Sequence, residues 1–123
     1  SNMLKDKRTE PEYTGVPSVV FTIPELARVG LLEEEARELG DVEVSFTDTS
    51  GWFSQKRIGE THAGAKIITG KDGKILGAHM FGPEYAELIN VFSLAIKLGL
   101  TAAQVKAMPA AYPTGASDIG SMF

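Results

Sequence analysis

Val42, Val44 and Phe46 alternate with Asp41, Glu43, Ser45 and Thr47, and this period of two predicts a half-buried strand with an apolar side made of the first three. The β-branched and aromatic run over 18–22 predicts a shorter strand, closed by Pro24. Between them, acidic residues crowd the start of 32–40 and Gly40 ends it, the polarity of a helix with its dipole complemented. Two apolar runs, 64–69 and 74–81, are joined through Asp72-Gly73, which predicts a hairpin with a type I′ turn. A helix follows over 84–98, with Glu84 and Glu87 at its start and Gly99 past its end. Leu88, Phe92, Ala95 and Ile96 form one apolar face of it. Ile89, Val91, Leu94 and Leu98 carry the apolar surface beyond one stripe, so the helix is expected to be covered on more than one side. Thr101 and Gln104 form a capping box for a second helix reaching about Ala107. Pro109 and Pro113 bracket an irregular segment, and 115–123 has room for a last turn.

These elements predict an α+β domain, a mostly antiparallel meander sheet with helices packed on one face. Residues 1–16 are charged and proline- and glycine-containing, and are expected to be a tag remnant and linker arm. Ser1-Asn2 before Met3 has the form of a cloning scar, and 17–123 is one domain. The loop 49–62 is polar except for Trp52-Phe53, a pair that packs over an edge or partner, or else tucks under its own loop.

Composition narrows the chemistry. The net charge is -4 with no basic cluster, which argues against a nucleic-acid surface. Cysteine is absent, so any redox disulfide or thiolate metal site belongs to another part of the protein. No run approaches the roughly 18 apolar residues of a membrane span, and the polar amino terminus lacks the apolar core of a signal peptide, so the cytoplasm is the expected compartment. A Gly-x-Gly-x-x-Gly loop is missing, so no nucleotide cofactor is expected to be held within these residues.

Four segments in order carry a resemblance: Phe21-Thr22-Ile23-Pro24-Glu25-Leu26-Ala27-Arg28-Val29-Gly30, then Leu76-Gly77-Ala78-His79 with Gly82-Pro83, then Glu87-Leu88-Ile89-Asn90, and Ala111-Tyr112-Pro113-Thr114-Gly115-Ala116-Ser117-Asp118. Together they resemble the carboxyl-terminal dimerisation domain of the pyridine nucleotide-disulfide oxidoreductases, which include glutathione reductase, dihydrolipoamide dehydrogenase and mercuric reductase. The resemblance implies a homodimer and a parent using FAD and NADH or NADPH, with the flavin and nicotinamide domains outside this chain. It also implies that Tyr112 and Pro113, joined by a cis peptide, lie near the partner's flavin. Val91, Leu94, Leu98, Tyr112 and Pro113 are the expected dimer contacts.

The family's last segment usually has the form His-Pro-Thr-x-x-Glu, whose His and Glu make an acid/base pair. Here Tyr112 stands in place of the His and Ser117 in place of the Glu. An imidazole titrates near neutrality and accepts a thiol proton there. A phenol, with a pKa of about 10, is a poor base and a serviceable hydrogen-bond donor. Tyr112 is therefore the candidate catalytic residue as a donor, or else an apolar filler where the dyad has lapsed; Asp118 is the nearest carboxylate. His79 is expected to be structural. His62 has no second His, Asp or Glu at ligand spacing, so no metal is assigned. The competing classes are a domain lending Tyr112 to a variant oxidoreductase site and an independent small-ligand-binding α+β domain.

Overall fold

Strands β1 (Ser18–Val20), β2 (Leu26–Gly30), β3 (Val42–Asp48), β4 (Gly64–Gly70) and β5 (Ile75–Phe81) form one antiparallel sheet in the order β1-β2-β5-β4-β3. The computed structural model describes residues 10–123; Ser1-Asn2 and most of the expected arm lie outside the described residues. Helices α1 (Glu33–Leu39), α2 (Phe53–Lys56), α3 (Tyr85–Leu98), α4 (Ala102–Lys106) and α5 (Gly115–Asp118) connect and follow the strands, and a 3₁₀ turn covers Ile119–Ser121. The α+β class and the antiparallel sheet are as expected.

Strand parity places the core. Ala27 and Val29 of β2, Ala65 and Ile67 of β4, and Ala78 and Met80 of β5 are all buried in one cluster with Leu88, Ile89, Phe92 and Ala95 of α3. Half of the sheet residues in that set are alanines, which lets the helix approach closely while Phe92 fills the gap. The alternate positions, Arg28, Lys66, Ile68, Gly77 and His79, belong to the other face. There α1 packs, with Ala36 and Ile68 both fully buried. So α3 and the elements after it gather on one face, while α1 alone crosses to the opposite one.

The crossing is made at a pair of glycines. Gly30 and Gly77 face each other across β2 and β5, and Leu31 N donates to Leu76 O at 2.9 Å as the chain leaves the sheet. A Cβ on Gly77 would lie 2.3 Å from Leu31 O, so only a hydrogen there leaves room for the chain to pass over β5.

Strand β2 was not anticipated as a separate element. Its residues do alternate, Leu26 and Arg28 outward with Ala27 and Val29 buried, but Pro24 just before them marks an end rather than a beginning. The hairpin is where expected, but its turn is different. Gly73 takes a positive φ of 78°, whereas Asp72 does not. The Asp72 carboxylate accepts from Lys74 N at 3.1 Å, an Asx turn that holds Asp72 in ordinary conformation and lengthens the connection beyond type I′. Phe46 corrects the apolar side expected for β3: it is 72% exposed, because it lies on the face that α1 covers only in part.

Helix α3 begins with an unusual residue. Glu84 has φ 64°, the left-handed region in which a non-glycine side chain costs about 1–2 kcal/mol. Its ion pair with Arg57, 3.7 Å between two largely exposed groups, offsets little of this. Asparagine tolerates that conformation and caps helices well. Glu84→Asn is therefore expected to stabilise the domain by about 0.5 kcal/mol, seen as a rise of about 2 °C in the calorimetric midpoint.

Candidate functional site

Tyr112 sits on the irregular segment between α4 and α5, and the Tyr112-Pro113 peptide is cis, as is Ile23-Pro24. Its side chain is 84% exposed, so within one chain Tyr112 fills no cavity. Thr114 caps α5: its Oγ1 accepts from Ser117 N at 3.3 Å, and Ser117 Oγ accepts from Thr114 N at 3.2 Å. The Ser117 hydroxyl is thus used within its own turn, donating to Thr114 O at 2.6 Å, and the structure does not pair it with Tyr112. Asp118 does not turn toward Tyr112 either. Its Oδ2 accepts from Ser54 Oγ at 2.7 Å, a contact spanning 64 residues of sequence.

Ser54 belongs to α2, so the loop carrying Trp52-Phe53 lies against this segment. The aromatic pair divides its work. Trp52 packs onto the core, and Phe53, 68% exposed, lines a cleft of about 70 Å³ with Arg57, Glu84, Tyr112 and Asp118. Beneath the loop, Thr49 Oγ1 and Tyr85 OH are 2.6 Å apart, and Gln55 Nε2 donates to Tyr85 OH at 3.4 Å. All three residues are buried, and that burial pushes the Tyr85 phenol above its usual range. Neither Thr49 nor Gln55 stands out in sequence, because both lie in a polar stretch that has the composition of an open loop.

On the far side of the sheet, His79 Nε2 lies 2.9 Å from Leu31 O, which fixes the proton on Nε2 as donor. Desolvation lowers its pKa first, with the nearby Lys66 and Arg28 charges acting in the same direction; the hydrogen bond to Leu31 and the charge of Glu35 oppose it. A base whose folded pKa is depressed contributes stability above its unfolded value of about 6.5 and loses it as pH falls through the folded pKa. His79→Gln should therefore flatten the decline in urea midpoint as pH falls below about 6.5, relative to the wild type.

Among the described residues, two open apolar surfaces lie on opposite sides of the sheet. One is the outer side of α3, where Val91 is half-buried and Leu94 and Leu98 are 58% and 63% exposed. The other lies on the sheet face beside α1, where Leu26, Phe46 and Phe81 border a groove of about 520 Å³ together with His62, Lys66 and His79. The β1–β2 connection extends the exposed apolar surface, with Phe21 and Ile23 at 81% and 100% exposure.

The profile of the pyridine nucleotide-disulphide oxidoreductase dimerisation domain matches residues 16–123. An uncharacterized 19.7 kDa protein in the mercuric resistance operon of Staphylococcus aureus is 44% identical over 99% of this chain and 69% of its own length. Glutathione reductase of Yarrowia lipolytica is 32% identical over 94% of this chain, which spans only 26% of that enzyme. Among solved structures, the Cu(II) complex of the HOCl-induced flavoprotein disulfide reductase RclA from Escherichia coli superposes with a TM-score of 0.83. It has 26% identity, and the match covers 89% of this chain and 25% of that one.

Proposed function

The chain belongs to the pyridine nucleotide-disulphide oxidoreductase dimerisation-domain family, and from that premise we propose that it joins two copies of its parent through the outer side of α3. The observation that carries this is the stripe of half-buried Val91 and exposed Leu94 and Leu98, one helical turn apart on a helix whose other side is core. Exposed apolar surface of that kind is what an obligate interface leaves when its partner is removed. The Tyr112-Pro113 segment, presented outward, is the second part of the proposed contact.

The opposite surface, from Ile23 across Phe81 to Phe46, is proposed to receive the rest of the parent. By family that parent is a reductase of a disulfide or related substrate, with FAD and NADH or NADPH supplying the electrons. The residues around Tyr112 do not enclose a flavin by themselves. The cleft beside Tyr112 is about 70 Å³, against the several hundred cubic ångströms of a cofactor pocket. Tyr112 and Pro113 would touch a partner's flavin only at its rim. With Ser117 and Asp118 engaged elsewhere, no carboxylate among the described residues hydrogen-bonds Tyr112, so its proposed contribution is a hydrogen bond donated to substrate or thiolate rather than proton abstraction.

Light scattering after size exclusion, over a concentration series, tests the pairing. A mass of two chains that persists on dilution supports it. A single-chain mass at hundreds of micromolar removes the reading that α3 suffices to pair the domain.

A further inference from the structure

We propose that Ser54 and Asp118 form a clasp that sets how the Tyr112-Pro113 arm is presented, making both positioning residues for Tyr112. The role of that arm across a dimer rests on the reading above; the clasp itself does not.

Among the described residues, the bond from Ser54 Oγ to Asp118 Oδ2 is the one hydrogen bond tying residues 109–123 to the rest of the domain. Every other hydrogen bond of that stretch stays within it: the Thr114–Ser117 cap, Thr114 Oγ1 to Ala111 O, Ile119 N to Ala116 O, and Met122 N to Ile119 O. Past the clasp, the tail is held by burial. Ile119 and Met122 are inside the core, the Phe123 ring lies 6.1 Å from that of Phe92, and Lys106 stands over it. Apolar burial resists departure but is not directional. A charge-assisted hydrogen bond fixes direction, and here it acts six residues after Tyr112.

The other half of the clasp is rigid. Ser54 is followed by Gln55, which is 3% exposed and bonded to the Tyr85 hydroxyl on α3, and Trp52 before it packs on the core. The loop is therefore bolted to α3, and Asp118 takes its place from the loop. The carboxylate expected one position earlier, beside an acid/base residue, is replaced by one that fastens the arm.

Amide hydrogen exchange of the 123-residue chain tests the clasp at Ser117 and Met122, whose amides are bonded within α5 and the following turn. Losing a hydrogen bond to a charged group should accelerate both by about tenfold in Ser54→Ala and Asp118→Ala. Asp118→Asn keeps an acceptor for Ser54 and should stay within about threefold of wild type, and the amides of β4 and β5 should not change. The ring resonances of Tyr112 should shift in both alanine variants and return in the asparagine one. Unchanged exchange in the alanine variants, acceleration shared equally by β4 and β5, or no recovery with asparagine would each overturn the proposal. The mass of the wild-type chain, measured separately, decides the pairing and leaves this result standing either way.

Discussion

Gly30→Ala is expected to cost about 3–5 kcal/mol, enough to leave a domain of ordinary stability, about 5–15 kcal/mol, close to unfolding. Two effects add. Gly30 has φ 75°, where an alanine pays about 1–2 kcal/mol. Its Cβ would also lie 2.2 Å from Leu76 O and 2.8 Å from Ile96 Cδ1. The first neighbour is backbone, held by the bond from Leu31 N, and cannot step aside without opening β2 from β5. Overpacking of this kind costs about 1–3 kcal/mol, and more where the neighbour is fixed. Two controls separate the terms. Gly99→Ala meets no atom within 4 Å but has φ 65°, so it should lose only the conformational part, about 1–2 kcal/mol. Gly51→Ala has open space and a φ outside the left-handed region, and should stay within about 0.5 kcal/mol of wild type. Urea midpoints at constant m-value read all three. A Gly30→Ala variant no worse than Gly99→Ala would mean that the crossing of α1 over the sheet is not as tight as the geometry has it.

That crossing shows where sequence reasoning stops. Gly30 and Gly77 are 47 positions apart, and nothing local marks them as facing each other; their meaning appears only once β2 and β5 are paired. The elements legible in the sequence are those whose signal is periodic or terminal. The β3 alternation, the turn at Gly73, the Thr101–Gln104 box and the broad apolar surface of α3 all lie within a few residues of what they specify. Strand β2 is the instructive exception: its alternation is present, but Pro24 just before it is a strand-ending signal. The site divides in the same way. Tyr112 and Ser117 are visible as departures from a motif because a motif is contiguous. The partner of Asp118 is a serine 64 residues away in a polar loop, and no local pattern announces it. Phe46 belongs to the apolar side of the alternation yet is exposed, because alternation gives two faces without saying which is covered.

Leu94→Asp is expected to weaken pairing by about 100-fold or more while leaving the fold intact. In a two-fold interface every substitution occurs twice. Covering the exposed 58% of Leu94 stabilises each copy by about 1 kcal/mol, so its loss removes about 2 kcal/mol per dimer. Two aspartates buried in the proposed contact add a desolvation cost of about a further kilocalorie or more. Together these exceed about 2.7 kcal/mol, the equivalent of a hundredfold change in Kd. Within one chain the same position faces water, so the substitution should cost the fold only the helix-propensity difference, about 0.5 kcal/mol. Leu39→Asp is the matched control. Leu39 is 75% exposed at the end of α1, on the opposite face of the sheet, and its substitution should leave the dimer mass unchanged. Equal weakening by both variants would mean that charge or general destabilisation, rather than the α3 stripe, governs association. An unchanged dimer in Leu94→Asp would move the contact to the surface around Phe46 and Phe81, another exposed apolar area of this domain.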